Sequence, residues 1–480
     1  MARSVRFNAF IRTIMNLVNI LIPLLAGPYL ARVLDVNLYA EYNRALAIVA
    51  WFLPFATLGV YNYGIREISR VKKDKKKVNF LFSELFYISV ICTILVTLLY
   101  LLTIKFTISS EVKIIYYIFS IQIISQMFFV EWMNEANENY MFIFLKTTII
   151  KILQLVSIFL FVKSKDDIVI FAIITTLSIF FNYLISYISI RKSVELVLVP
   201  WSSIVKRLKP LLVMLLLMNA NMLYTYLDRL FLSFTTTNTI EISYYQFSLS
   251  IVSLITQVIN SIIIVSIPRL SKYLTSGKNK EYLTLLDKTA HLFLCLGIPL
   301  CLGMAIMSKD IIYMYSGSSY LAAAPTLALF SLRTLLWLGD RIFAGQLLFI
   351  HGYENELTKI YLKYGMLNLL FNIILLVLGN SSASLFIITT MIAELFLLID
   401  EILLSKRKGI EYNIIFDHKT VEYVFSGVIM VLSVYYIRNK YINVLELSFE
   451  YFFRVLCVVC FGVLIYFLSI YLQRKIKTVF

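Results

Sequence analysis

The chain has 480 residues, 60% of them hydrophobic and 15% charged, with a mean hydropathy of +0.83, whereas soluble domains carry about 25% charged residues. Lipid is therefore the solvent for most of this chain, which argues against a soluble enzyme. The formal charge of +16 is distributed over alternate loops, as in membrane topology signals, and not over one continuous face, so it does not point to nucleic acid.

A backbone inside a bilayer must satisfy its own hydrogen bonds as a helix or a closed barrel. The apolar runs here are about 20 residues long and do not alternate over about 10, which selects helices. The first segment opens with Arg3, Arg6 and Arg12 and stays apolar past Pro23 to Leu34 without a small-residue cleavage site. It reads as a retained helix and not as a secretory leader. Apolar windows fall at 11–31, 42–63, 80–103, 112–134, 141–162 and 168–190, then at 209–232, 242–266, 289–308, 321–350, 359–378, 383–404, 421–437 and 449–472. The expected fold is an all-α polytopic membrane protein of about fourteen transmembrane helices.

Positive residues are retained on the cytoplasmic side, and they recur after every second span. The loop after the second carries Arg66, Arg70, Lys72, Lys73, Lys75, Lys76 and Lys77. Later come Arg191, Lys192, Lys206, Arg207 and Lys209, then Arg269, Lys272, Lys278 and Lys280, then Lys406, Arg407 and Lys408, and the tail Arg474, Lys475 and Lys477. The opposite loops hold only scattered cations, so both termini are expected in the cytoplasm. No loop exceeds roughly twenty residues, which leaves no room for the large loop that membrane-embedded polymerases and glycosyltransferases use.

The chain repeats itself. Tyr42 precedes Arg66 by 24 residues, and Tyr245 precedes Arg269 by 24, each arginine opening a basic segment, IREISRVKKDKKK or PRLSKYLTSGKNK. NENYMFIFLK and ENELTKIYLK pair Lys146 with Lys363. These matches predict two pseudo-symmetric six-helix lobes, 1–207 and 208–404, with 405–480 adding two helices and a cytoplasmic tail. An even number of spans per lobe gives parallel repeats, with substrate expected between them.

Polar residues within spans are costly and mark cavities or partners. Arg12, Asn16 and Asn19 share a helical face in the first span, and Gln246, Ser250, Ser253, Gln257 and Asn260 share one in the eighth. Arg333, Trp337, Asp340 and Arg341 do so in the tenth, Tyr361, Tyr364, Asn368 and Asn372 in the eleventh, and the seventh carries Asn221 and Asp228. Such stripes can also glue helices together. Lys146, Lys151, Arg333, Arg341 and Lys363 are intramembrane cations suited to a phosphate, unless they snorkel or pair with carboxylates. The substrate-binding candidates are thus Arg12, Asn16, Asn19, Lys146, Lys151, Asn221, Gln257, Arg333, Trp337, Arg341, Tyr361, Lys363 and Tyr364. Glu84, Glu131, Asp228, Asp340 and Glu394 are candidates for a coupling proton or sodium ion.

Cys92, Cys295, Cys301, Cys457 and Cys460 lie in apolar stretches and read as helix packing despite the CxxC at 457–460. His291, His351 and His418 fall at helix ends or in loops and form no zinc pattern. No Walker, nucleophile-elbow or Rossmann motif occurs, so neither a cofactor nor a metal is expected, and an ion gradient is a better energy source than ATP.

The stretch PYLARVLDVNLYAEYNRALAIVAWFLPFATLGVYNYGIREI, with VEWMNEANENY, YLDRLFLSF, EISYYQFS and SIPRLSKYL in order, resembles bacterial Wzx-like polysaccharide flippases of the multidrug, oligosaccharidyl-lipid and polysaccharide exporter superfamily. The resemblance implies a two-lobed bundle in the plasma membrane that flips an undecaprenyl-diphosphate-linked oligosaccharide by alternating access, with no enzymatic step. O-antigen, capsule and teichoic-acid precursors fit that class. A cationic cavity, as in such relatives, would use Lys146, Lys151, Arg333 and Lys363, and Asp340 departs from that pattern. The alternatives are an ion-coupled drug or metabolite antiporter of the same superfamily and a membrane polymerase or acyltransferase.

Overall fold

A computed structural model describes residues 23–108, 112–218, 223–234, 239–380, 382–411, 415, 417–442 and 448–479. All regular elements among them are helical. The first nine are α1 (Val36–Thr57), α2 (Val60–Val71), α3 (Lys75–Thr107), α4 (Lys113–Ile124), α5 (Glu131–Ala136), α6 (Tyr140–Phe161), α7 (Ile168–Arg191), α8 (Trp201–Met218) and α9 (Thr225–Phe234). Eight follow: α10 (Ile240–Thr275), α11 (Asn279–Ile306), α12 (Ser308–Ser316), α13 (Ala324–Asp340), α14 (Glu354–Val377), α15 (Ala383–Arg407), α16 (His418–Tyr441) and α17 (Phe449–Val479). A π-helical segment, Arg341–Leu348, continues α13.

Counting α1 with α2 and α4 with α5, eleven helices among the described residues are long and apolar enough to cross a membrane. Their outward faces are apolar. Ile94, Leu95, Leu98, Leu99 and Leu102 of α3 and Ile149, Ile152, Leu153 and Leu160 of α6 are exposed, whereas Ser83, Glu84 and Thr93 are buried. Soluble proteins rarely present such continuous apolar surface, and lipid tails solvate it. The first expected span lies mostly outside the described residues.

Capping sets several helix starts. The Asp35 carboxylate accepts the backbone N–H groups of Asn37 and Leu38 at the start of α1, and Asp74 accepts those of Lys76 and Lys77 at the start of α3, satisfying donors that a helix leaves open. The Lys77 N–H holds the Asp74 carboxyl below its ordinary value. Between α1 and α2 the chain turns through Leu58 (φ 45°) and Gly59 (φ 73°). A Cβ on Gly59 would stand 2.8 Å from the Leu211 carbonyl oxygen and the Leu215 nitrogen, so glycine admits the α8 backbone as well as the turn.

Two boundaries differ from the sequence expectation. Lys206, Arg207 and Lys209 lie within α8, and Arg269 and Lys272 lie within α10, which runs through Pro268 to Thr275. These basic residues sit on helix ends that project beyond the apolar run, because a charged end in water prolongs a helix at little cost. His291, expected near a helix end, lies well inside α11 and is buried.

The helices form two compact units, Met1–Ile240 and Glu241–Phe480. In the first, α1 packs on α3, α4 and α9, α2 on α5, and α6 on α7, around Tyr63, Phe82, Trp132 and Ile204. In the second, α16 packs on α11 and α17, and α15 on α13 and α14, with a core that includes Leu286, Phe293, Leu338, Phe343 and Tyr466. Helix α8 belongs to the first unit through α2 and α3. That boundary concerns compactness, and the repeat boundary at 207 is a separate expectation.

Candidate functional site

The helices carry their charges as pairs. In the first unit, Lys146 of α6 donates to Glu131 Oε2 (2.9 Å), the Asn182 carbonyl (3.0 Å) and Ser186 Oγ (2.5 Å) of α7. Ser186 in turn donates to Glu131. The ammonium thus has three acceptors in a buried site. Lys151, one turn further along α6, donates to Gln154 Oε1 (3.2 Å) and has no carboxylate partner among the described residues. Glu84 of α3 is fully buried and accepts from Ser203 and from Arg207 Nε (3.2 Å), while Arg207 also donates to the Tyr63 hydroxyl (2.6 Å). Asp228 and Arg229 are buried on α9, the guanidinium lying 4.8 Å from the Tyr226 ring centre.

In the second unit, Arg333 of α13 grips Glu394 of α15 through Nε (2.8 Å) and Nη2 (2.5 Å). This two-pronged geometry fixes orientation as well as charge. About two turns on, Arg341 donates to Asp340 Oδ2 through Nε (2.9 Å) and Nη2 (2.6 Å) and lies 5.8 Å from the Trp337 ring centre. The Tyr361 hydroxyl donates to Asp340 Oδ1. Lys363 donates to Asp400 Oδ2 (2.8 Å) and to the Tyr364 hydroxyl (2.9 Å), and Tyr364 donates to the same carboxylate oxygen (2.7 Å). Asn368 and Asn372 are buried, Asn368 accepting from Thr390 (3.2 Å). Gln257 of α10 is exposed.

Within the second unit the structure therefore gathers Arg341, Trp337 and Tyr361 around Asp340, and Lys363 and Tyr364 separately around Asp400. Within the first it places Lys146 against Glu131. Arg12, Asn16, Asn19 and Asn221 lie outside the described residues. Sequence patterning did not select Asn182, Ser186, Asp400 or Glu401. For the two acids a signal existed, since α15 carries Glu394, Asp400 and Glu401 in an otherwise apolar stretch. Ser186 and Asn182 are ordinary polar residues whose part appears only when α6 and α7 meet.

Asp287, His291 and Asp417 place one ligand atom each within 4.8 Å of one another, a spacing that could hold a metal ion. Lys419 Nζ bonds both Asp287 oxygens (2.9 and 3.0 Å) and lies 3.8 Å from Asp417. That ammonium already neutralises the group where a cation would.

Residues 5–274 match the family model described as polysaccharide biosynthesis protein. A relative from Shigella dysenteriae named "Putative O-antigen transporter" is 23% identical over 364 residues, 74% of this chain and 88% of the relative. Its namesake from Escherichia coli (strain K12) is 22% identical over 377 residues, 76% and 89% of the two chains. The solved structure "Lipid II flippase MurJ, inward closed conformation" shares the fold with a TM-score of 0.71, at 16% identity and over 98% of this chain and 99% of that one. The family model spans more than half of the sequence, and the chain belongs to the polysaccharide biosynthesis protein family as a multi-pass, all-helical membrane protein.

Proposed function

We propose that this protein is a flippase that moves an undecaprenyl-diphosphate-linked oligosaccharide from the cytoplasmic to the outer leaflet of a bacterial plasma membrane by alternating access. O-antigen, capsule and teichoic-acid precursors share the chemistry it needs, a diphosphate on a lipid with a polar glycan. The names of the two relatives and of the solved structure, an O-antigen transporter and a lipid II flippase, support the substrate class. The alternation of basic segments supports an orientation with both termini in the cytoplasm. The sequence repeats 1–207 and 208–404, with 405–480 appended, are the lobes of this reading.

The observation that carries the proposal is the ammonium of Lys363, which stays exposed while anchored to Asp400 and Tyr364 on a membrane helix. An ammonium that gives two of its hydrogens to Asp400 and Tyr364 keeps a third for a phosphate, and charge-assisted contacts to phosphate strengthen as water is excluded. Trp337 and Tyr361, both partly exposed at the Asp340 and Arg341 group, present rings on which sugars stack. Lys151 supplies a second cation without a carboxylate partner among the described residues. No group in this reading forms a covalent bond with substrate, so the chain acts without enzymatic chemistry.

The test is export in a strain lacking its own flippase and carrying the matching glycan pathway. Lys363→Ala is expected to lower surface glycan about tenfold or more, the loss of one charge-assisted hydrogen bond, at unchanged membrane abundance, and Lys363→Arg to restore part of it. Normal export by Lys363→Ala would remove this residue from the mechanism. Uptake of organic cations by proteoliposomes, without glycan export, would favour the antiporter reading instead.

A further inference from the structure

Helix α15 carries three carboxylates, and the structure answers two of them with cations: Glu394 with Arg333 and Asp400 with Lys363. Glu401 is different. It is 0% exposed, and neither of its carboxyl oxygens accepts from a donor among the described residues. The charged groups that act on it are Asp340 and Arg341. A Cβ on Gly339 would stand 2.8 Å from Leu398 Cδ2, so α13 and α15 approach closely one residue before Asp340 and three before Glu401. The two acids therefore belong to one helix interface.

The charges around this pair do not balance. Arg341 is committed to Asp340 Oδ2, and Tyr361 donates to Oδ1. Of the other charged and titratable groups on the elements packed against α15, Arg333 is engaged with Glu394, both Lys363 and Tyr364 with Asp400, and Glu356 with Lys408, while Glu354 and Lys359 stand on the first turns of α14. Glu241 of α10 accepts from the Ala383 N–H at the far end of α15. One guanidinium thus faces two carboxyl groups. An ionised carboxylate buried without a donor costs several kcal/mol, and two carboxylates sharing a site do not both ionise readily. A single proton would make the set Arg341, Asp340 and Glu401 neutral.

We infer that Glu401 and Asp340 form a proton-binding site, with Glu401 carrying the exchangeable proton, and that this proton drives transport. The coupling part rests on the flippase reading above. Tyr361 and the Arg341 side chain are partly exposed while Glu401 is sealed behind them, so a proton arriving at the Tyr361 and Asp340 edge passes inward to the Glu401 carboxylate. Loss of that proton leaves Arg341 to serve two carboxylates. Arg341 opens the π-helical segment Arg341–Leu348, where the hydrogen-bond register departs from α13. Single π turns inside α-helices are common at functional sites, and such a register can shift when its first side chain changes partner.

The experiment uses the full-length chain reconstituted in liposomes. Infrared spectroscopy without substrate is expected to show the carbonyl stretch of a buried protonated carboxyl at neutral pH. The band should vanish in Glu401→Gln, and also in Asp340→Asn, where Arg341 is freed to pair with an ionised Glu401. A band that persists unchanged in Glu401→Gln overturns the site. In the same liposomes, collapsing an imposed pH gradient is expected to slow wild-type flipping of lipid-linked oligosaccharide at least about fivefold and to leave Glu401→Gln indifferent. Flipping that follows a sodium gradient and ignores pH overturns the coupling. A wild type that moves no lipid-linked oligosaccharide under any gradient overturns the flippase reading and with it the coupling, while the infrared result still decides the proton site.

Discussion

Lys146 and Lys363 occupy matching places in the repeated sequence, yet their surroundings differ. Each sits on a helix that packs against the next one in the chain, α6 on α7 and α14 on α15, and each reaches a carboxylate at hydrogen-bond distance. The Lys146 side chain is 3% exposed and its three acceptors use all three ammonium hydrogens, whereas that of Lys363 is 63% exposed and meets one carboxylate and one hydroxyl. One lysine is a bolt between helices, and the other is a cation with room for a further partner. The same residue type in matching sequence places thus becomes a buried strut or an exposed cation according to the burial that its helix neighbours impose.

The comparison is most easily broken at Lys146. Lys146→Ala leaves the mostly buried Glu131, 13% exposed beside Ser186, without its counter-charge, and is expected to cost about 3 kcal/mol. Thermal unfolding in detergent and abundance in the membrane would report it. Combining Lys146→Met with Glu131→Gln should recover most of that loss, since both charges then leave together. Wild-type stability of Lys146→Ala, together with lost export, would make Lys146 a substrate ligand after all.

Arg333 stands between the two extremes. Its two hydrogen bonds to Glu394 are short, and both side chains are mostly buried. Arg333→Lys keeps the charge but loses the planar fork, with an expected cost of about 1.5–3 kcal/mol in the same unfolding assay. Lys363→Ala should cost less than about 1 kcal/mol, as for other exposed pairs, while producing the export defect described above. The smallest stability effect is expected at Lys151, where replacement by Gln should stay within about 0.5 kcal/mol. A change in export in Lys151→Gln, read against that unchanged stability, would add Lys151 to the substrate path.

Much of the architecture follows from the sequence alone. The long apolar runs require helices because a bilayer offers the backbone no other hydrogen-bond partner, and the alternating basic segments and the paired Tyr42–Arg66 and Tyr245–Arg269 spacings are one-dimensional patterns. Asp340, Arg341, Tyr361 and Lys363 were visible as polar breaks in apolar surroundings, and so was Glu394 of α15, whereas Asp400 and Glu401 were not selected. The partner of each charge was not visible. Whether Lys146 meets Glu131, whether Asp400 holds Lys363, and whether Glu401 is left without a donor depend on which face of one helix packs against another. Hydrophobicity in a membrane helix specifies that it spans, and leaves its rotation about its own axis to close contacts such as that of Gly339 with Leu398. Tertiary packing therefore decided which charges became struts and which stayed available, because electrostatic energy in a region of low dielectric is governed by ångström-scale proximity that residue order does not encode.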